Sequence, residues 1–445
     1  MRNFKLLFIT LTLLTGSSFY AQKATAKKVS EKPNIIFILA DDLGIGDVSC
    51  YGSDLNKTPI IDQLAKGGIR FNHGYTAPLC GPSRAMILTG RYGFRTGAVN
   101  QDMVGEIKPE NEVLIPSVLK PAGYTTSLVG KWSQFSKTPG DFGFDDYLTF
   151  AGSGDYWSTE KKKSENYIEN GVNKKLDSQT YMPDLMHDHL VDFITTNKDK
   201  PFFLYYSMVH VHAVIQRTPD SKPGSDLYED NTAYMDKLVG KLLKTLDDLK
   251  LRKSTLIVFM GDNGTASQYA NRGTISGKAL SGKKGTMLEC GSLVPTIANW
   301  PGVIGSGKTS DLLIDSTDLL PTFADLAGAK LPTKNVIDGR SFLPQLFGKK
   351  GNPREWIFIE LGNKWYVRDA KWKLNREGEL FDMSNSPFEE KLVSNYSENK
   401  ESNDAYNRLK ATLNTLSPEK GIIDNAGGSG RHASNVNKKK EKVED

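Results

Sequence analysis

The sequence predicts an α/β protein, in which helices sandwich a mostly parallel central sheet and a smaller antiparallel-sheet subdomain follows. Three observations predict it. Uninterrupted apolar runs of strand length recur at residues 35–40, 202–206 and 255–260, and such runs suit parallel strands buried on both faces. Stretches with helix-spaced apolar residues separate them, which makes the connections right-handed crossovers. From about Arg354 the pattern changes to short, closely spaced strand candidates, as in a small antiparallel sheet.

Taken in order, the chain opens with Arg2 and Lys5 ahead of the apolar run 6–14 and a small-residue cleavage site after Ala21. Residues 1–21 therefore read as a secretory signal peptide, and the mature protein is expected to be exported, periplasmic or secreted. The run is too short to span a membrane, and no cysteine near the cleavage site offers a lipid anchor. Residues 22–32 are a polar, lysine-rich lead-in. The first strand, 35–40, ends at Asp41-Asp42. Thr58 and Pro59 suit a helix N-cap and first turn, and Ile60, Ile61, Leu64 and Ala65 continue at helical spacing to Gly67-Gly68. Residues 125–130 read as a strand delivering Lys131. Residues 181–196 are helical, with Leu185, Leu190, Val191 and Phe193 for an inner face. The strand 202–206 delivers His210 and His212. Met235, Leu238, Val239, Leu242, Leu246 and Leu249 mark the most regular amphipathic helix, and the strand 255–260 ends at Asp262-Asn263. A main domain is expected over 33–345 and a subdomain over 346–420. The latter has strands near 356–359, 364–367, 372–374 and 379–382 and a helix over 404–416. Residues 421–445 read as a disordered tail.

Net charge is +5. Without the signal peptide and the tail from Gly427, which carries five bases against three acids, residues 22–426 hold only +1. A nearly neutral body argues against nucleic-acid binding. The three cysteines, Cys50, Cys80 and Cys290, do not make a disulfide scaffold; Cys50 and Cys290 are either a pair or two buried thiols.

Asp41, Asp42, Lys131, His210, His212, Asp262 and Asn263 all follow the carboxyl ends of apolar strands, the edge at which open parallel sheets bind ligands. Each has a plain reading alone: the aspartates cap a helix or make a turn, and the lysine is a surface charge. Together the four oxygen-bearing side chains suit a hard cation such as calcium. His210 and His212, two apart on an extended segment, share a face. His187 and His189, two apart on a helix, diverge and read as structural, as does His73.

Cys80 lies in Pro78-Leu79-Cys80-Gly81-Pro82-Ser83-Arg84, at the mouth of a helix. On its own it reads equally as a small buried thiol or a thiol nucleophile. With Leu88-Thr89-Gly90-Arg91, however, the Cys-x-Pro-Ser-Arg run resembles the signature of the type I sulfatases, on an alkaline phosphatase-like fold. The resemblance implies that a maturation enzyme converts Cys80 to formylglycine, whose hydrated aldehyde is the nucleophile. It implies one calcium ion held by Asp41, Asp42, Asp262, Asn263 and residue 80, with Arg84 and the ion positioning the hydrated formylglycine and Lys131, Lys284 and the metal bearing the sulfate charge. Lys284 stands in Gly282-Lys283-Lys284-Gly285-Thr286, similar to the family's Gly-Lys-Gly-Thr segment, with Lys283 the alternative one place away. His212 matches the general acid, and His210 has a structural or substrate-contact role. One departure stands out: where the family has Gly-Lys-Trp-His, this chain has Gly130-Lys131-Trp132-Ser133. The implied substrate is a sulfated polysaccharide fragment, an algal galactan or a glycosaminoglycan. The alternatives are a phosphate ester hydrolase of the same superfamily, disfavoured by the few histidines, and an impaired pseudo-sulfatase that binds sulfated glycans. Arg95, Trp157 and Arg272 lie in loops within reach of a sugar.

Overall fold

The computed structural model describes residues 32–150, 156–157 and 166–424. The signal peptide, nearly all of the polar lead-in and residues 425–445 of the tail lie outside the described residues.

The chain begins with β1 (Asn34–Ala40), α1 (Pro59–Lys66), β2 (Ile69–Tyr75), α2 (Cys80–Thr89), the short turns α3 (Gly93–Thr96) and α4 (Ile115–Leu119), and β3 (Thr125–Gly130). Next come β4 (Asp146–Phe150), the hairpin β5 (Asn166–Glu169) and β6 (Val172–Lys175), α5 (Met182–Thr196), β7 (Phe202–Ser207), α6 (Leu227–Asp248) and β8 (Thr255–Gly261). A two-stranded ribbon, β9 (Thr274–Ile275) and β10 (Lys278–Ala279), precedes α7 (Glu289–Ser292), β11 (Thr296–Asn299), β12 (Lys308–Asp315), α8 (Leu319–Ala327) and α9 (Leu343–Leu346). The chain closes with β13 (Ile357–Leu361), β14 (Lys364–Arg368), β15 (Trp372–Asn375), β16 (Leu380–Asp382), β17 (Lys391–Leu392) and α10 (Lys400–Leu416).

Ten strands form one sheet in the order β12-β2-β11-β8-β1-β7-β3-β4-β5-β6. Its centre is parallel: β1 pairs with β7 and β8, and β7 with β3. Every residue of β1, β7 and β8 is buried, because apolar side chains face helices on both sides. Two cores result. Phe37, Leu128, Tyr205 and Val258 pack on one face with α8; Ile36, Ile38, Leu204 and Ile257 pack on the other with α5 and α6. The second sheet, β13 to β17, is antiparallel throughout. Its Phe358, Trp365, Val367 and Leu374 share a core with Ala77, Met86, Tyr92 and Phe94, so it supports the segment that carries Cys80.

The structure extends the predicted elements. The helix expected from Met235 starts at Leu227, where the Asp226 carboxylate accepts from the backbone N–H of Tyr228 and Glu229; its first turns carry polar residues that hide the apolar period. β2, only partly buried over Ile69–Tyr75, and the antiparallel β11 between β8 and β2 were not predicted. Cys50 and Cys290 are free thiols. Residues 421–424 turn back onto the body. The Ile422 N–H donates to the Phe94 carbonyl at 2.8 Å, the Asp424 N–H to the Gly362 carbonyl at 3.3 Å, and Asn100 Nδ2 to Asp424 Oδ2 at 2.7 Å.

Candidate active site at the carboxyl edge of the sheet

β1, β3, β7 and β8 end side by side, and their register sets the site. The Asp41 N–H donates to the His210 carbonyl at 2.8 Å and the Asp262 N–H to the Ala40 carbonyl at 2.9 Å. Asp42 adopts a left-handed conformation, φ 58°, and its N–H donates to Asp262 Oδ1 at 2.9 Å. Two carboxylates separated by 220 residues in sequence are thereby fixed together at 0% and 1% exposure.

Burying adjacent carboxylates is costly unless cations compensate. Three do. Lys131 Nζ is 2.6 Å from Asp41 Oδ2, Lys284 Nζ is 2.6 Å from Asp42 Oδ1, and an Arg84 terminal nitrogen is 2.7 Å from Asp262 Oδ2 and 3.7 Å from Asp41 Oδ2. Lys284, not Lys283, reaches the carboxylates. Burial alone pushes the Lys131 and Lys284 amines down, but Asp41 and Asp42 outweigh it and hold both charged. Burial likewise pushes the Asp41 carboxyl up; Lys131, His212 and Arg84 overcome it and hold Asp41 well below the usual range. Asp262 goes the other way: burial and then the neighbouring Asp41 charge raise it despite Arg84.

Cys80 is the first residue of α2 and is 3% exposed. Arg84 lies one helical turn on, and besides Asp262 it binds the Ser207 hydroxyl and, at 3.3 Å, the Lys131 carbonyl. One ligand atom from each of Asp41, Cys80 and Asp262 lies within 4.8 Å of the others. The same holds for Asp41, Asp42 and His212. The residues present fit a divalent cation. Asp41 Oδ1 and Asn263 Oδ1 are buried without a hydrogen-bond partner, Asn263 Nδ2 being turned to Asp42 Oδ1 at 3.0 Å. The donor set is rich in oxygen, and added positive charge would relieve the opposition between Asp41 and Asp262.

The two histidines divide. His212 is the most open member, at 18% side-chain exposure, with Nε2 4.0 Å from Asp42 Oδ2. Burial pushes its imidazole down, and Asp41 partly offsets this. His210 is fully buried, takes a 3.0 Å hydrogen bond with the Tyr181 hydroxyl, lies tilted against Tyr156 with ring centroids 5.3 Å apart, and burial pushes it down to about 3. It is a neutral ring that holds the segment carrying His212.

Other candidates are held by partners outside the carboxylate cluster. Arg95 is bound to Asp338 at 2.8 Å, Arg272 to Asp226 at 2.8 Å, and Trp157 Nε1 donates to the Arg217 carbonyl at 2.7 Å. His189 sits 3.0 Å from Asp146 Oδ2, and His187 is buried. Sequence reasoning missed Ser207 and Gln101. Ser207 ends β7 beside Arg84, a position the strand pattern marks. Gln101 touches Cys80 from a loop, with its Nε2 3.4 Å from Sγ, and no pattern marks it.

Comparison with known proteins identifies the family. The family model described as Sulfatase matches residues 33–329. Human arylsulfatase A is 35% identical over 389 residues, covering 79% of this chain and 76% of that protein. Mouse N-acetylgalactosamine-6-sulfatase is 35% identical over 368 residues, 75% of this chain and 69% of that protein. Among solved structures, Ps i-CgsB superposes with a TM-score of 0.77 at 28% identity over 88% of this chain and 94% of its own, and has been solved in complex with k-i-k-neocarrahexaose. Family model and relatives converge: this chain belongs to the sulfatase family and is a sulfuric ester hydrolase.

Proposed function

We propose that the protein removes sulfate from a sulfated carbohydrate, an algal galactan or glycosaminoglycan fragment, using formylglycine at position 80 and one calcium ion. The observation that carries this reading is the buried set of Asp41, Asp42 and Asp262 against Arg84, Lys131 and Lys284, with Cys80 at its edge. The complex of the related Ps i-CgsB with k-i-k-neocarrahexaose supports a carbohydrate substrate.

Asp41, Asp42, Asp262 and Asn263, with residue 80, are the ligands assigned to the cation. A calcium ion bound by them would supply positive charge to stabilise a sulfuryl group. The hydrated aldehyde at position 80 supplies two geminal hydroxyls, one to take the sulfuryl group and one to expel sulfate. Arg84 holds Asp262 and the end of β7 in register beside the nucleophile. Lys131 and Lys284, kept charged by the aspartates, bear on sulfate oxygens in the transition state. His212 gives its proton to the departing sugar oxygen. An incoming sulfate ester brings negative charge to this imidazole and favours the protonated form that burial opposes. Residues 33–345 serve as the catalytic part and 346–420 as the supporting subdomain. Export follows from the N-terminal reading; among the described residues no helix is long and apolar enough to cross a membrane.

The test is sulfate release, followed by ion chromatography, from a panel of carrageenan and glycosaminoglycan oligosaccharides, by protein co-expressed with a formylglycine-generating enzyme. Peptide mass spectrometry reads residue 80 in the same samples. Release from at least one sugar with formylglycine present supports the proposal. An ordinary cysteine in fully active protein, or a preference for phosphate esters, overturns it.

A further inference from the structure

The side chain at position 80 has a neighbour that the mechanism above does not use. Gln101 Oε1 accepts from the Gly81 backbone N–H at 3.1 Å and lies 3.6 Å from Cys80 Sγ; its Nε2 lies 3.4 Å from the same sulfur. Nε2 also donates to Gln134 Oε1, which accepts in turn from the Ser133 hydroxyl. A chain of neutral hydrogen bonds thus runs from residue 80 through Gln101 and Gln134 to Ser133, the position at which the sequence departs from its family's pattern.

The approach is built in. A Cβ at Gly81 would meet Gln101 Oε1 at 2.9 Å and Val104 Cγ2 at 3.0 Å, so the glycine lets the amide reach the start of α2. The loop carrying Gln101 is held on both sides: the Gly362 N–H donates to the Val99 carbonyl at 2.7 Å, Asn100 Oδ1 accepts from the Met103 N–H at 3.0 Å, and Asn100 Nδ2 binds Asp424.

We propose that Gln101 is the positioning residue of the nucleophile: its amide fixes the rotation of the residue-80 side chain and thereby selects which oxygen faces the substrate. The proposal rests on the formylglycine reading. An amide offers one acceptor and two donors and does not titrate, so Gln101 orients the hydrate through an O–H···Oε1 bond without taking its proton. Holding a nucleophile in one rotamer acts on the transition state rather than on substrate binding.

The test compares Gln101→Ala, Gln101→Glu and wild type, with residue 80 quantified by mass spectrometry in each. At equal formylglycine content, Gln101→Ala is expected to lower kcat about ten- to hundredfold with KM within about twofold. Gln101→Glu restores the acceptor and recovers part of kcat, but adds an ionisation to the pH profile of kcat that wild type lacks. A kcat for Gln101→Ala within twofold of wild type, or a Gln101→Glu profile that superposes on the wild-type profile, overturns the proposal. The underlying reading fails separately. If residue 80 is an unmodified cysteine, or no sulfate is released, Gln101 is judged on that thiol: the alkylation rate of Cys80, followed by peptide mass spectrometry in protein made without the maturation enzyme, changes at least about threefold on Gln101→Ala. An unchanged rate then refutes the positioning role.

Discussion

Two buried arginines show two uses of the same ion pair. Arg354, just before β13, is saturated: it binds both oxygens of Asp318 at 2.6–2.8 Å, the Thr317 hydroxyl at 3.0 Å, the Asp338 carbonyl at 2.9 Å and the Tyr92 hydroxyl at 3.3 Å. Neither Arg354 nor Asp318 leaves a polar side-chain atom without a partner. Arg84 is as deeply buried, yet its Nε, Asp41 Oδ1, Asn263 Oδ1 and His212 Nδ1 all lack partners. A closed pair fastens two parts of the fold, here the start of α8 and the small sheet. An open cluster keeps bonding capacity for something that arrives later, and its cost is accepted because the ligand recovers it.

The sharpest way to break this contrast is Cys80→Ala. Sulfate release is expected to fall on the order of 10⁴-fold or more, with a melting temperature within a few degrees of wild type by differential scanning fluorimetry; a substantial loss of stability would mean that the open cluster is structural too. Next is Arg354→Met, which strands a buried Asp318 carboxylate and is expected to cost about 3–5 kcal/mol in denaturant unfolding, while activity per folded molecule stays near wild type. A specific-activity loss beyond twofold would erase the distinction. Third, calcium at a hundred times its dissociation constant is expected to stabilise the chelator-treated wild type by about 2.7 kcal/mol, and Asp262→Ala is expected to abolish that gain; equal gains in both proteins would move the ion elsewhere.

The smallest effect comes from the small sheet. Glu360 on β13 is fully buried, accepts from the Phe94 N–H at 2.9 Å, and burial pushes its carboxyl up to about 8. The folded state therefore holds a proton that the unfolded state releases above its ordinary value near 4.5. Stability attributable to this group is full below pH 4.5, declines as pH rises toward 8, and is level above that. Glu360→Gln keeps the acceptor and removes the titration, so its melting temperature should gain on wild type by a few degrees between pH 5 and 8. Parallel curves would show that the carboxyl is not the source of the slope.

These contrasts also mark what the sequence makes legible. Asp41-Asp42, Lys131 and Asp262-Asn263 are readable because each follows a run apolar enough to identify a central strand, and strand ends share one edge. Lys284 and Cys80 sit in loops and helix mouths and are readable only through motif resemblance; no periodicity selects Lys284 over Lys283. Gln101 and Gln134 are unreadable, since polar loop residues far apart in sequence carry no pattern and meet only when the chain has folded. β2, with Arg70, Asn72 and His73 interleaved, hides for the opposite reason: it lies toward one side of the sheet, and partial exposure breaks up the apolar run that betrays β1.

The strap formed by residues 421–424 has a practical consequence. It grips Phe94 and Asn100, on the connection that leads to Gln101, and so links the far end of the described chain to the orientation of residue 80. On the positioning role proposed for Gln101, a protease nick near Gly421, or an affinity tag fused there, is expected to leave both sheets intact and to lower kcat, read as sulfate release against the uncut protein. Expression design for this enzyme should leave that junction untouched.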